Sequence, residues 1–212
     1  MALKYFIIVS IVLFTIGCGG SSDSSEKSTN KTFLKTGYLI DSYVEGVDYY
    51  INGNLSGTTD KDGKFKYQEK DTITFKVGQM EIATIVSVYT DNHVTIQDLC
   101  EVRRDWADNS KVVNIATFLQ SLDEDSNPSN GITITSEIKD LFIQKIKLKD
   151  LDYSEIVAMI KNLGKNVKSK NSVVSHLKQT MQTAGITPLV LDENTIPPYY
   201  ETKVGLPPLP TN

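Results

Sequence analysis

The polarity of this chain changes rhythm three times. From Tyr5 to Leu13 it is apolar except at Ser10, with the single cation Lys4 in front. Between about Thr36 and Val88 the apolar positions recur every second residue. Val47, Tyr49 and Ile51 alternate with Asp48, Tyr50 and Asn52, the pattern of a strand with one face buried. After Trp106 the period lengthens to that of a helix. Val112, Ile115, Ala116 and Leu119 share a face with Phe118 and Leu122, and Asn109 and Ser110 stand as start signals. Further stripes are Ile138, Leu141, Phe142 and Ile146, then Ile156, Met159, Ile160 and Leu163, then Val173, Val174, Leu177, Met181 and Ala184. Asp152 with Glu155 makes a capping-box start for the third, and Gly164 and Gly185 close the last two.

Turn chemistry punctuates the period-two region. Asn52-Gly53 is a tight-turn dipeptide because both residues tolerate positive φ. Asp62-Gly63 predicts a second hairpin turn within Asp60-Lys61-Asp62-Gly63, and Gly78-Gln79 predicts a third. The expected fold is α+β: an antiparallel meander or small sandwich, followed by a helical subdomain of about four helices. The boundaries read 1–17 leader, 18–33 tether, 34–100 beta module, 101–187 helical region and 188–212 extended tail. Pro188, Pro197, Pro198, Pro207, Pro208 and Pro210 give that tail polyproline character, a loose strap or a docking peptide around Tyr199 and Tyr200.

The leader has the layout of a signal peptide, and its apolar run of about 12 residues is short against the roughly 20 of a membrane-spanning helix. Thr15-Ile16-Gly17-Cys18 resembles a bacterial lipobox, with Thr15 where Leu is usual. The resemblance implies cleavage before Cys18 and lipid attachment to it, with membrane anchoring by several acyl chains. The glycine and serine string after Cys18 then serves as a tether. Gly19 in place of aspartate resembles lipoproteins destined for an outer membrane, should the host be Gram-negative.

Composition narrows the function. The net charge is −4, and loss of Lys4 with the leader makes it more negative, which argues against a nucleic-acid partner. Of the two cysteines, Cys18 carries lipid in this reading, so Cys100 has no internal disulfide partner and reads as a small buried hydrophobe.

"GTTDKDGKFKY" resembles the T-D-x-x-G-x-F/Y signature of carboxypeptidase-regulatory-like and prealbumin-like beta modules. The wider string IDSYVEGVDYY…SGTTDKDGKFKYQEKDTITFKVG resembles a module of uncharacterised bacterial surface lipoproteins. Those continue with a T-x-x-D-L stretch, here Thr95 to Leu99 with Ile96 where Pro is common, and a VVNIATFLQSLDEDSNPSNGI-like segment. The resemblance covers residues 36 to 143. It implies binding, display or spacing, and offers no active site to carry over.

One cluster could hold a metal. In LDEDSNPSNGI, Asp123, Asp125 and Asn127 alternate as oxygen ligands do in a calcium loop, and Ser129 or Asn130 could add another oxygen. The EF-hand match is poor, with Pro128 at the sixth position and Ile134 at the twelfth; Glu124 or Glu137 could substitute only if the chain folds back. The alternative is a helix-ending loop built from Asx turns. His93 and His176 stand in no motif, and the chain lacks H-E-x-x-H, G-x-S-x-G and G-x-x-x-x-G-K-[ST]. The expectation is a non-enzymatic, lipid-anchored envelope protein with a binding, adhesion or structural role. Its partner would be an envelope protein or a carbohydrate; Tyr43, Tyr49, Tyr50 and Tyr67 are either its contacts on the sheet face or ordinary strand residues, which the beta preference of tyrosine equally explains. A calcium-stabilised structural protein and an enzyme of unrecognised type are the alternatives.

Overall fold

In a computed structural model, residues 33–186 are described. The leader, Cys18, most of the tether and the proline-rich tail lie outside the described residues, as do the expectations placed on them.

Strands β1 (Lys35–Ile40), β5 (Lys64–Tyr67) and β8 (His93–Thr95) form one sheet in the order β5-β1-β8, with β1 antiparallel to β5 and parallel to β8. Strands β3 (Asp48–Ile51), β4 (Asn54–Thr58), β6 (Ile73–Val77) and β7 (Met80–Ile85) form an antiparallel sheet in the order β4-β3-β6-β7. The two-residue strands β2 (Val44–Glu45) and β9 (Ile132–Thr133) pair in parallel. The helices are α1 (Ile96–Leu99), α2 (Ser110–Leu122), α3 (Ser136–Asp140), α4 (Tyr153–Asn162) and α5 (Lys170–Thr183), with a 3₁₀ turn at Leu148–Asp150. The architecture is α+β as the patterning predicts.

The Asn52-Gly53 turn joins β3 to β4 with φ of 51° and 85°, and Gly78 opens the β6–β7 turn at φ 56°. The middle turn behaves differently. Asp60 Oδ1 accepts the N–H groups of Asp62 and Lys64 at 2.9 and 3.0 Å, so the turn forms, but it joins β4 to β5 in another sheet. The predicted hairpin is therefore a crossover. Gly63 permits it: its φ is 68°, and a Cβ there would lie 2.5 Å from the Leu39 carbonyl oxygen. Phe65, delivered by that crossover, is the centre of an aromatic cluster with ring centroids 5.9 Å from Tyr49, 5.7 Å from Tyr67 and 5.2 Å from Phe75.

Sheets and helices share one core. Helix α2 packs against α4 and α5 and is buried nearly all round, including the polar Thr117, Gln120 and Ser121, where patterning shows only one apolar face. Helix α4 opens on the predicted Asp152/Glu155 capping box. The second stripe predicts a helix reaching Ile146, yet α3 ends at Asp140. The following segment instead runs beside β7, with Gln79 and Glu81 N–H groups donating to the Phe142 and Ile146 carbonyls at 2.7 and 2.8 Å. An otherwise open sheet edge takes those carbonyls, and this overrides the helical period.

Helix α1 carries no helical period in the sequence. It is the T-x-x-D-L stretch: Thr95 caps it, and Asp98 returns to the Thr95 N–H in a capping box. Asp98 also accepts from Arg104, through Nε at 3.0 Å and Nη2 at 2.8 Å. The same guanidinium binds Asp91 and the His93 carbonyl and lies 4.4 Å from the Tyr89 ring centre.

Candidate functional site

The site begins with a turn. Strand β1 ends at Ile40, and Ile40 bridges back to Tyr43 around Asp41 and Ser42. Ser42 sits at φ 53°, in the turn position that usually takes glycine or asparagine. Its N–H donates to Thr180 Oγ1 at 3.1 Å, and its Oγ lies 3.2 Å from His176 Nε2. A serine held in left-handed backbone beside a histidine marks a place where the surrounding fold overrides local preference.

Asp41 lies beneath, fully buried. Gln120 Nε2 donates to both its carboxylate oxygens at 3.1 and 3.0 Å, and His176 Nε2 is 3.6 Å from Oδ1. Among the described residues no lysine or arginine hydrogen-bonds or ion-pairs with it, and burial pushes its pKa up to about 7 against the Gln120 hydrogen bonds. Burial pushes His176 down, helped by Lys168 and opposed by its backbone hydrogen bond with Asp41.

Above this network opens a cleft of about 330 Å³, walled by Ser42 and Tyr43 from the turn, Asn130 from the acidic loop, and His176, Gln179 and Thr183 from α5. The β2–β9 pair brings these walls together: Ile132 N–H donates to the Tyr43 carbonyl at 2.9 Å and Ile134 N–H to Glu45 at 3.0 Å. Tyr43 is 48% exposed at the rim.

The acidic loop is the other wall seen from behind. Asp123 caps the end of α2, buried, with Oδ1 accepting the Thr133 N–H at 2.9 Å and Oδ2 without a hydrogen-bond partner among the described residues. Burial and the neighbouring Asp125 push its carboxyl up. Asp125 makes an Asx turn, accepting the Asn127 N–H and Asn130 Nδ2, each at 2.8 Å, and these bonds hold its carboxyl down. Two backbone oxygens of the loop already meet cations. Lys165 Nζ donates to the Asp123 carbonyl at 2.9 Å and Lys168 Nζ to the Ser126 carbonyl at 2.7 Å. Among the described residues no three His, Cys, Asp or Glu side chains are grouped to hold a metal.

Of the four tyrosines expected on a contact face, Tyr43 stands at the cleft. Tyr49 and Tyr67 are 7% and 6% exposed, so they are core rather than contact surface: Tyr49 shares the inward strand face with Val47, and both pack on Phe65. Tyr50 is half-buried under Lys76 Nζ, 4.3 Å from its ring centre. Cys100 is a buried free thiol whose pKa burial pushes up to about 12, which suits packing rather than reactivity. Asp41 and Ser42 carry no motif in the sequence and His176 stands in none, because no motif connects residues 134 positions apart. The one local hint is that Asp41-Ser42 sits between two apolar strands without a turn-forming glycine.

This chain is similar to two uncharacterised lipoproteins of Staphylococcus aureus, from strains MSSA476 and MW2. Each is 39% identical over 74 residues, covering 33% of this chain and 27% of the relative's length. The chain thus spans about a quarter of the relatives it matches. No family model and no solved structure matches it, so the prealbumin-like resemblance stands on its quoted residues alone. The relatives' names fit the lipid anchor expected from the lipobox-like sequence, and as proteins of a Gram-positive bacterium they give no support to an outer-membrane address.

Proposed function

We propose that this is a lipid-anchored envelope protein whose folded part binds a ligand, without chemistry, in the Ser42–His176 cleft. The lipobox-like residues before Cys18 and the lipoprotein relatives support the anchor. The cleft itself carries the binding role: a side-chain-lined recess opening beside a strained turn, at the size of a small-ligand site. In a Ser-His-Asp triad the base is oriented by an acid on its far ring nitrogen. Here Ser42 Oγ and Asp41 Oδ1 approach the same nitrogen, His176 Nε2, which leaves no relay.

The decisive experiment has two arms. Cys18→Ser should release the protein from membranes, and its retention there would refute the lipid anchor. A fluorophosphonate probe should leave Ser42 unlabelled while a library of small polar fragments shifts the His176 ring resonances. Covalent labelling of Ser42 would instead argue for an enzyme.

A calcium-stabilised structural role is the second reading. The unpartnered, buried Asp123 Oδ2 beside Asp125 favours it. Any such ion would share a loop whose Asp123 and Ser126 carbonyls Lys165 and Lys168 already hold.

A further inference from the structure

The cleft's walls say what class of ligand they suit, and this inference rests on the binding role just proposed. Aspartate, glutamate, lysine and arginine make up 23% of the chain, yet none of them lines the cleft. Its polar groups include the hydroxyls of Ser42, Tyr43, Ser129, Thr180 and Thr183, the last donating to the Gln179 carbonyl, with the amides of Asn130 and Gln179 and the ring of His176. A charged ligand would lose its hydration there without gaining an opposite charge. Hydroxyls and carboxamides, in contrast, both donate and accept, so they match a ligand covered in groups of the same dual character.

Backbone recognition is largely closed. Around the cleft the Ser42 N–H is bonded to Thr180, the Tyr43 carbonyl to Ile132, the Asn130 N–H to Asn127 and the Gly131 N–H to Pro128. An extended peptide that adds a strand needs a row of free main-chain groups, and these are taken. What remains is side-chain hydrogen bonding beside one half-exposed aromatic ring, Tyr43. An amphipathic ring of this kind offers an apolar face to C–H groups while keeping its hydroxyl wet.

We propose that the cleft bounded by Tyr43, Ser42, Asn130, His176, Gln179 and Thr183 binds a neutral saccharide, with one sugar ring laid against Tyr43 and its hydroxyls on the amides and hydroxyls of α5 and the acidic loop. The volume, about 330 Å³, lies at the small end of ligand sites and suits a unit of one or two rings. Asn130 enters the site already restrained, because its Nδ2 donates to Asp125 at 2.8 Å.

Saturation-transfer NMR on the full chain, in micelles of a zwitterionic detergent free of sugar headgroups, tests this. The probes are cellobiose, maltose and chitobiose, with glucuronate and glucosamine as charged counterparts and an acetylated, amidated Ala-Gly-Ser-Ala as a neutral peptide. At least one neutral disaccharide should bind, with the charged sugars weaker by tenfold or more. Tyr43→Ala and Gln179→Ala, both changes at solvent-facing side chains, should each weaken that binding about tenfold while the melting temperature holds. A disaccharide signal that survives both variants overturns the proposed site. If the peptide alone shifts the His176 resonances, the saccharide is wrong and the binding cleft stands. If none of the probes binds, the saccharide proposal falls; if the polar fragment library is silent as well, the binding cleft falls with it.

Discussion

The carboxyls of Asp98 and Asp41 both have little access to water, and the fold treats them in opposite ways. Asp98 has a cation: Arg104 grips it through two nitrogens, and Asp98 in turn closes the capping box of α1. Among the described residues the Asp41 carboxyl has the Gln120 amide and a histidine at 3.6 Å, and no cation of the lysine or arginine kind. A buried carboxylate costs several kcal/mol unless it is paired or takes up a proton. The first is paired, and it does structural work between β8 and the segment after α1. The second hovers at the edge of protonation under a cleft. Both surroundings leave a buried amide oxygen without a partner among the described residues, Gln97 Oε1 near the Asp98–Arg104 pair and Gln120 Oε1 beside Asp41, so what separates the two is the cation.

The widest gap between the two should come from removing the cation. Arg104→Met leaves Asp98 and part of Asp91 facing a 4%-exposed methylene chain instead of a guanidinium. Stability should fall by about 3–5 kcal/mol, the cost of stranding a buried charge. Urea titration reads this directly, and a loss below 1 kcal/mol would put the Asp98–Arg104 pair among the weak surface kind.

Asp41 should respond in the opposite sense, and with pH. Its folded pKa, about 7, lies above its ordinary 3.8, so the folded chain holds a proton that the unfolded chain has released between those values. Stability from this group therefore falls as pH rises from about 4 to 7 and is flat above. The span corresponds to as much as ~4 kcal/mol. His176 runs counter to it: a lowered histidine pKa makes stability rise with pH up to its ordinary 6.5. Asp41→Asn keeps an acceptor for Gln120 Nε2 and offers its own N–H groups to Gln120 Oε1. The variant should be more stable than the parent at pH 8 and lose the falling slope, with the comparison repeated in a His176→Gln background. A variant less stable at pH 8 would mean that Asp41 is charged and well solvated by its neighbours.

The same contrast explains what sequence alone could reveal. Local chemistry announced itself where it was self-contained: Asn52-Gly53, the Gly78 turn, and the Asp152/Glu155 capping box are each complete within a few residues. Asp62-Gly63 has equal turn chemistry, but whether a turn folds back or crosses to another sheet depends on what Gly63 meets, here the Leu39 carbonyl. Helix α1 is four residues long and has no room for a period. Helix α3 stopped early for a tertiary reason, the edge of β7. The cleft was least legible of all, because its turn and its helix face are joined only by packing. Tyr43 was singled out from its residue type, and Asn130 as a metal ligand rather than a wall of the cleft.

A smaller effect should separate the acidic loop from both aspartates. Lys165→Met with Lys168→Met removes the ammonium groups from the Asp123 and Ser126 carbonyls. Because these contacts are partly solvated, the double change should cost about 1 kcal/mol. Millimolar calcium should leave the melt of the parent chain unmoved, since the loop's own lysines supply its positive charge. A calcium-dependent rise of several degrees, abolished by Asp125→Ala, would overturn that and establish the ion as a structural component.

The smallest change in stability should come from Ser42→Gly, and its smallness is the point. Glycine relieves the left-handed backbone at φ 53°, worth up to ~1 kcal/mol. It also deletes the 3.2 Å contact with His176 Nε2, a hydrogen bond of about the same worth. The Ser42 N–H to Thr180 survives because it belongs to the backbone. These terms nearly cancel, so the melting temperature should stay within a degree or two. Saccharide binding should drop about tenfold, because one cleft hydroxyl is gone and His176 is no longer steered. A scaffold residue would show the reverse, a lower melt with binding per folded molecule intact. Measured side by side with Arg104→Met, this variant tells whether the strained serine is held for the fold's sake or for the ligand's.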